Sequence, residues 1–124
     1  MPEDTSPTKE DVENCPVRQV LCKVTGKWQV LIILELEEGA LRFGALKRAI
    51  GDVTQRVLTQ NLRGLERDGY ITRSVDPGPP VAVHYQLTAR GEGLMRQLKT
   101  LTVWASEVHP GVMQDRAVFD QAQS

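Results

Sequence analysis

The sequence lacks any long apolar run. Its longest uninterrupted apolar segment, Val30–Leu34, is far shorter than the roughly 20 residues that a helix needs to span a bilayer. The first residues, Met1–Asn14, are polar and acidic, unlike a secretory signal or a transit peptide. These absences argue against a membrane protein and predict a cytoplasmic one with no membrane partner.

Residues that ligate metals or act in catalysis are scarce. The chain has two cysteines, Cys15 and Cys22, and two histidines, His84 and His109, and none of these lies in the spacing of a zinc site or a disulfide framework. Gly-rich phosphate loops, H-E-x-x-H helices and G-x-S-x-G turns are absent. The sequence therefore predicts a protein that is not an enzyme, with no catalytic residues, no metal and no cofactor.

Charges of both signs are present but unevenly distributed. The 124 residues, enough for one domain, carry a net charge of −1. Met1–Asn14 contains five acids and one lysine, a net charge of −4, whereas Arg42–Arg73 contains seven bases and three acids, a net charge of +4. The basic middle segment is compatible with an anionic partner.

Apolar periodicity and turn residues divide the first half of the chain into short elements. Helices are predicted over Val17–Val24, with Pro16 in the first position, and over Lys27–Glu38, where Gly39 ends the helix. The second helix is apolar on nearly all sides, which predicts a place in the core for it and for its Trp28. A short extended segment at Leu41–Phe43 and an amphipathic helix over Gly44–Ile50 follow.

The second half of the chain combines helices with a change to the alternating pattern of strands. Its elements are, in order, a helix that Thr54 caps and Gly69 closes, strands at Ile71–Val75 and Val81–Leu87, and a long helix at Ala89–Val108. The turn segment DPGPP joins the two strands into a hairpin. His109, Pro110 and Gly111 are predicted to break the long helix.

Two short helices joined by a tight turn and followed by a hairpin make a winged helix-turn-helix. The predicted fold class is therefore mainly α (α+β), with a two-stranded β-wing and a long C-terminal dimerisation helix. Three segments are expected: a flexible acidic arm at residues 1–14, the winged helix-turn-helix domain at 15–108, and a tail or short helix at 109–124.

The helix that precedes the hairpin has one apolar side and one basic side. Leu58, Leu62 and Leu65 fall within about 60° of one another when successive residues are placed 100° apart. The opposite side carries Arg, Gln and Thr with no acid at its centre, and these residue types suit the base edges and phosphates of double-stranded DNA. The expected base-reading residues are Gln55, Arg56, Thr59 and Gln60, and the expected phosphate contacts are Arg63 and Arg67.

Other residues complete the predicted DNA-binding set. Thr54 lies at the start of the helix, Arg42 precedes the shorter helix, and Arg73 lies on the strand that enters the wing. Gly64 in the middle of the helix costs about 1 kcal/mol relative to alanine, and close packing of a neighbouring element would offset this cost. Two alternatives stay open: the basic side is only a solvated helix face, or it is a protein–protein interaction module for an acidic partner.

These residues also resemble a known family, the HxlR-type regulators, which are relatives of the MarR group. The shared residues are Cys15–Pro16, Gly26–Lys27–Trp28, Arg42–Phe43, Leu58–Thr59, Leu62–Arg63, Leu65–Glu66, Asp68–Gly69, Pro79–Pro80, Val83, Tyr85, Leu87–Thr88 and Gly91. The resemblance implies a dimeric bacterial transcription regulator that pairs through its first and last helices. Ala45, Gly64 and His84 depart from a glutamate that is common in the family.

The last predicted helix carries apolar residues at the alternating spacing of a coiled coil. The candidate dimerisation residues are Leu94, Leu98, Leu101, Trp104, Ala105 and Val108. The alternative is that this face packs only within its own subunit. A homodimer would place two recognition helices ~34 Å apart on one face of DNA, which predicts an inverted-repeat operator.

Cys15 is a candidate redox sensor. The resemblance implies such a role, because some family members use the cysteine at this position, and Cys15 directly precedes a helix N-terminus. The alternative is a structural or inert thiol, since Glu10, Asp11 and Glu13 lie close before it in the sequence. Cys22 is predicted to be buried and His84 to lie on the surface of the wing. An oxidant or a small molecule is the candidate signal.

Overall fold

The computed structural model describes residues 15–123. The helices are α1 (Pro16–Val24), α2 (Lys27–Glu35), α3 (Phe43–Ile50), α4 (Gln55–Arg67) and α5 (Ala89–Gln123), with a 3-10 turn at Leu36–Glu38 after α2. The strands are β1 (Leu41–Arg42), β2 (Ile71–Asp76) and β3 (Ala82–Leu87). This order confirms the predicted winged helix-turn-helix, whereas the predicted acidic arm at residues 1–14 lies outside the described residues.

The core forms where α2 meets the apolar sides of α3 and α4. Ile32 and Ile33 of α2 have no exposed surface, as expected for a helix that is apolar on nearly all sides. Leu46 of α3 and the three leucines of α4 at positions 58, 62 and 65 are buried against them. This packing holds α4 with its opposite side towards solvent. Trp28, predicted to be core, is half-buried and packs at the edge of the core.

Both ends of α4 are closed as the sequence predicts. The Thr54 hydroxyl oxygen accepts a hydrogen bond from the Val57 N–H at 3.2 Å, which satisfies one free donor of the first turn. At the other end Gly69 adopts φ +82°, and the Tyr70 N–H donates to the Leu65 carbonyl at 2.9 Å. This pattern is a Schellman motif, in which the left-handed glycine terminates the helix.

The sheet is antiparallel and has the order β1-β3-β2. Tyr85 of the central strand lies opposite Leu41 of β1 and Arg73 of β2, and its ring is buried. The alternation predicted for β3 holds at Val83, Tyr85 and Leu87, but Val81 is 68% exposed because it precedes the strand and lies beyond the edge of the core.

The last helix is longer than predicted. The expected break at His109–Gly111 is wrong, because α5 continues without interruption through Pro110 to Gln123. A proline inside a helix removes the hydrogen bond to the carbonyl four residues earlier, here that of Ser106. Ser106 and Pro110 are both exposed, so water can hydrogen-bond to the freed carbonyl. None of the described helices has the length and apolar character needed to cross a membrane.

The first helix is only loosely attached to its own chain. Val24 is buried, whereas Val17, Val20 and Leu21, which share its apolar side, are exposed.

The prediction that Cys22 is buried is wrong: Cys22 is exposed, because it lies on the polar side of this helix.

Gly64 has open space around it. Apart from the backbone of its own helix, a methyl group added at its Cα would meet no heavy atom within 4 Å, and the residue is exposed. The expectation that close packing of a neighbouring element explains this glycine is therefore wrong. The glycine adds backbone entropy to the unfolded chain, which lowers the stability of the folded protein relative to alanine.

We accordingly expect Gly64→Ala to stabilise the protein by about 0.5–1 kcal/mol, the usual gain of alanine over glycine in a helix interior. The free energy of unfolding, measured by urea denaturation at one fixed protein concentration, checks this. A decrease in stability would show that another molecule or subunit packs against Gly64 in solution.

Candidate nucleic-acid interface

The outer side of α4 carries a straight row of long polar side chains. Arg56, Gln60, Arg63 and Arg67 are all exposed and recur at spacings of four, three and four residues, which aligns them along the helix. Gln55 is exposed at the N-terminus, and Thr59 is half-buried at one edge of the row. The buried leucines lie on the other side of the helix, so the row cannot turn inwards without loss of the core.

The arginines of this region have no partner within the part of the chain that the structure describes. Arg42, Arg56, Arg63, Arg67 and Arg73 make no ion pair and donate no side-chain hydrogen bond to residues 15–123. A row of guanidinium groups without carboxylate partners is a surface suited to an external anion.

A concave surface of about 360 Å³ lies between α4 and the wing. Its lining residues are Thr59, Arg63 and Glu66 of α4 with Arg73 and Tyr85 of the sheet. Three residues that were predicted separately from the sequence, Thr59, Arg63 and Arg73, therefore lie in one cleft. Glu66 was missed. It follows Thr59 by seven residues, two helical turns, and that spacing could have placed it on the same side.

Gln60 borders a second, shallower concave surface of about 290 Å³ on the other flank of α4. Lys23 of α1 and Gln29 of α2 line it together with Gln60, Asn61, Gly64, Leu65 and Asp68. Lys23 is not among the predicted residues, because the family resemblance implies only dimer pairing for the first helix. The two concave surfaces together thus extend from the wing, along both flanks of α4, to the end of α1.

The remaining predicted residues mark the start of the two helices of the helix-turn-helix. Arg42 is exposed in the N-cap position of α3. Thr54 uses its oxygen to accept the capping hydrogen bond, so its O–H group is left to donate to an external oxygen atom. Both are exposed positions at a helix N-terminus, which suit a phosphate contact.

The other titratable groups form no metal centre within residues 15–123. No group of three or more His, Cys, Asp or Glu side chains among those residues could hold a metal ion. In the wing, the half-buried imidazole of His84 lies 3.4 Å from the carboxylate of Asp76. His84 therefore pairs across the hairpin and is less exposed than predicted.

The chain, including its exposed surface on α4, is similar to a known family of helix-turn-helix proteins. Residues 23–112 match the HxlR-like helix-turn-helix family. The chain belongs to the HxlR family. The matched range includes α2 to α4, the whole wing and most of α5, so it contains nearly all of the surface described above.

The relatives of this HxlR-family chain are regulators of transcription. YtfH of Escherichia coli K12, named as an uncharacterised HTH-type transcriptional regulator, is 42% identical over 101 residues, which are 82% of this chain and 80% of that protein. YdeP of Bacillus subtilis 168, named in the same way, is 36% identical over 100 residues, 81% of this chain and 78% of the relative.

Solved structures of other regulators have the same fold. YtfH from Salmonella typhimurium superimposes with a TM-score of 0.77 at 39% identity, over 85% of this chain and 94% of that one. The redox regulator HypR in its reduced form gives a TM-score of 0.75 at 31% identity, over 80% and 98% of the two chains. The HxlR-family chain is therefore a helix-turn-helix transcriptional regulator, and the prediction that it is not an enzyme is confirmed.

Proposed function

We propose that this HxlR-family regulator acts as a cytoplasmic homodimer that binds an inverted-repeat operator, with α4 as the recognition helix in the major groove. The observation that carries the proposal is the exposed row on α4, whose arginines have no partner within residues 15–123. The buried leucines on the opposite side of α4 fix the direction of this row.

Base reading is proposed for the first two turns of α4, since the beginning of a recognition helix enters the major groove first. Arg56 can donate two hydrogen bonds to a guanine, and Gln55 or Gln60 can pair with an adenine. Thr59, at the mouth of the cleft beside the wing, offers a hydroxyl and a methyl group to a thymine. Glu66 in the same cleft would accept a hydrogen bond from a cytosine amino group and repel a phosphate.

Phosphate binding is proposed for the cations around this centre. Arg63 and Arg67 lie farther along α4, Arg42 lies at the start of α3, and Arg73 faces the cleft from the wing. The tip of the wing contributes no basic residue, because residues 76–80 are Asp-Pro-Gly-Pro-Pro. Positioning on the duplex would therefore depend on Arg73, in the part of the wing that faces the cleft, and not on the tip.

The proposed dimer interface includes the apolar stripe of α5. In the described chain, Leu98 is buried and Leu94 is packed against the core, so these two predicted dimerisation residues pack within their own subunit. From Leu101 onwards the stripe is largely exposed. Its members are Leu101, Ala105, Val108, Val112 and Phe119, which alternate in steps of four and three residues with Asp115 in one position.

This spacing, 3.5 residues on average, is that of a helix that packs along a partner helix. The indole of Trp104 is 57% exposed beside the stripe. The exposed residues of α1, Val17, Val20 and Leu21, form a second apolar surface. A second copy of the chain would remove both surfaces from water, which is the main driving force for such association.

One prediction concerns Arg73, the proposed phosphate contact of the wing. Arg73→Ala should weaken binding to all DNA sequences about equally and reduce the slope of log K against log salt by about 1, because one fewer counterion is released. Binding titrations of operator and unrelated duplexes at several salt concentrations check this. Arg96→Ala, which removes an exposed arginine from α5, is the matched control and should leave the slope unchanged.

Selection of bound sequences from random duplex DNA tests the proposed function as a whole. We expect enrichment of two half-sites in inverted orientation, one for each subunit of a homodimer. Enrichment of single half-sites, or of no sequence at all at low salt, would contradict the proposal. The same selection with a thiol oxidant present tests the proposed oxidant signal.

Cys15 is the proposed site of that signal, because it is half-buried at the N-cap of α1 and because two neighbours, HypR and YodB, have been solved in oxidised or diamide-treated forms. An internal bridge to Cys22 is excluded: Cys22 follows Cys15 by seven positions along the helix, which separates the two Cα atoms by about 10 Å, whereas a disulfide needs less than about 7 Å. The oxidised form would instead join Cys15 to a thiol of another molecule. Cys15→Ser should then remove any effect of oxidant on the selected sequences.

A further inference from the structure

The C-terminal end of α4 is bound to the first turn of α5 by three hydrogen bonds. The backbone N–H of Thr88 donates to the Tyr70 carbonyl at 3.1 Å, and its hydroxyl donates to the Gly69 carbonyl at 2.6 Å. The Arg90 Nη1 donates to the Asp68 carbonyl at 2.8 Å. Three consecutive carbonyls at the end of the proposed recognition helix thus accept from two residues at the start of the proposed dimerisation helix. We call this set the junction.

The Thr88 hydroxyl has two roles in the junction. Besides donating to Gly69, its oxygen accepts a hydrogen bond from the Gly91 N–H at 3.1 Å. Thr88 is therefore the N-cap of α5 and at the same time the link to α4. A side chain that only accepted hydrogen bonds could cap the helix but could not bind the Gly69 carbonyl.

The backbones at the junction are in close contact. A methyl group added at Gly91 would lie 2.0 Å from the Tyr70 carbonyl oxygen and 3.1 Å from its carbon. Only glycine allows the first turn of α5 to approach the chain this closely, and Gly91 is buried. The Schellman motif of α4, which ends at Tyr70, therefore stands directly against α5, with no intervening side chain to absorb a change in angle.

We propose that Thr88 is a positioning residue for DNA binding: by joining the end of α4 to the start of α5, it sets the distance and angle between the two recognition helices of a dimer. The inference rests on the proposed homodimer, in which α5 holds the partner subunit. Each extra base pair between two half-sites moves them apart by ~3.4 Å and rotates one relative to the other by ~35°. A fixed angle at the junction therefore selects one spacing.

The test compares Thr88→Ser with Thr88→Asp. Serine retains both hydrogen bonds of the hydroxyl. Aspartate is a good N-cap and keeps the bond from Gly91, but as a carboxylate it has no proton to donate to the Gly69 carbonyl. The pair therefore separates the link between helices from the capping of α5. Arg90→Ala is a third variant; Arg90 is exposed, so its removal leaves the core intact.

The measurement is affinity for a series of operators that differ only in the number of base pairs between the half-sites. We expect wild type and Thr88→Ser to prefer one spacing. In Thr88→Asp, the ratio of the affinity for the preferred spacing to the affinity for the other spacings should fall about tenfold, an effect of the size of one mismatched base pair. The affinity for a single half-site should be unchanged. Arg90→Ala should lose less in the same direction. Thr100→Asp, an exposed threonine of α5 away from the junction, should behave as wild type.

An unchanged spacing preference in Thr88→Asp, with equal or lower affinity at every spacing, would assign Thr88 to capping alone and overturn the inference. Should Thr88→Asp fail to fold, Arg90→Ala decides the question, since loss of its bond to Asp68 must then broaden the preference. A wild-type protein with no preference for any spacing would overturn the proposed dimer on an inverted repeat, and this inference with it.

Discussion

Replacement of Arg56 by alanine is expected to lower the affinity for the selected operator by about 1–3 kcal/mol, the usual size of a bidentate contact to a base. Arg56 lies in the first turn of α4, where a recognition helix meets base edges, and its guanidinium has no partner within residues 15–123 that would be released by the mutation. The loss should be specific: discrimination at one base pair of each half-site should disappear.

Competition titrations with operators substituted at each position measure this effect. Arg67→Ala, three turns farther along the same row, should weaken binding to all sequences to a similar extent, because Arg67 is proposed to contact phosphate. Arg96→Ala on α5 should change neither quantity. Unaltered operator affinity in Arg56→Ala would mean that α4 enters the groove in a different orientation.

Introduction of a charge into the α5 stripe should have the second large effect. Leu101→Asp is expected to weaken dimerisation by about 3 kcal/mol, which is about a hundredfold in Kd, because each subunit would bury an unpaired carboxylate in the interface. Leu101 is 53% exposed in the single chain, so the fold of the monomer should tolerate the change. Operator affinity should then fall towards that of an isolated half-site.

Sedimentation of the variant over a range of concentrations measures its dimerisation directly. Val103→Asp is the matched control: Val103 is 58% exposed on the same helix, but two residues along, and therefore about 160° away from Leu101. Its substitution should leave the dimer intact. Equal weakening by both substitutions would show that the interface does not follow the stripe.

Most of the fold could be predicted from the sequence because local signals and packing agree. The apolar helix around Ile32 and Ile33, the Thr54 cap and the glycine at position 69 each specify their element by short-range chemistry. The alternation of β3 likewise depends only on which side faces the core. The direction of the row on α4 followed from the leucines on the opposite side of the same helix.

The wrong predictions concern interactions that local rules do not contain. Pro110 is predicted to end a helix, but α5 continues through it, and the Ser106 carbonyl that Pro110 leaves without its helical partner lies on the exposed side of the helix. Gly64 and Cys22 were each assigned a burial that depends on distant neighbours, and both are exposed. The cleft that joins Arg63, Glu66 and Arg73 depends on the angle between α4 and the wing, which no periodicity reveals.

The C-terminal part of α5, from Thr100 onwards, affects how fast the protein would be degraded in the cell. Between Thr100 and Gln123 only Val108 is even half-buried, so this stretch of helix has almost no support from its own subunit. Most of the stability of a helix in a protein comes from the packing of its apolar side, which this stretch lacks in the single chain. Chains that have not yet found a partner would therefore be preferred substrates of proteases and chaperones. Assembly would then protect the regulator from degradation, so its rate of degradation per molecule would fall as its concentration rises.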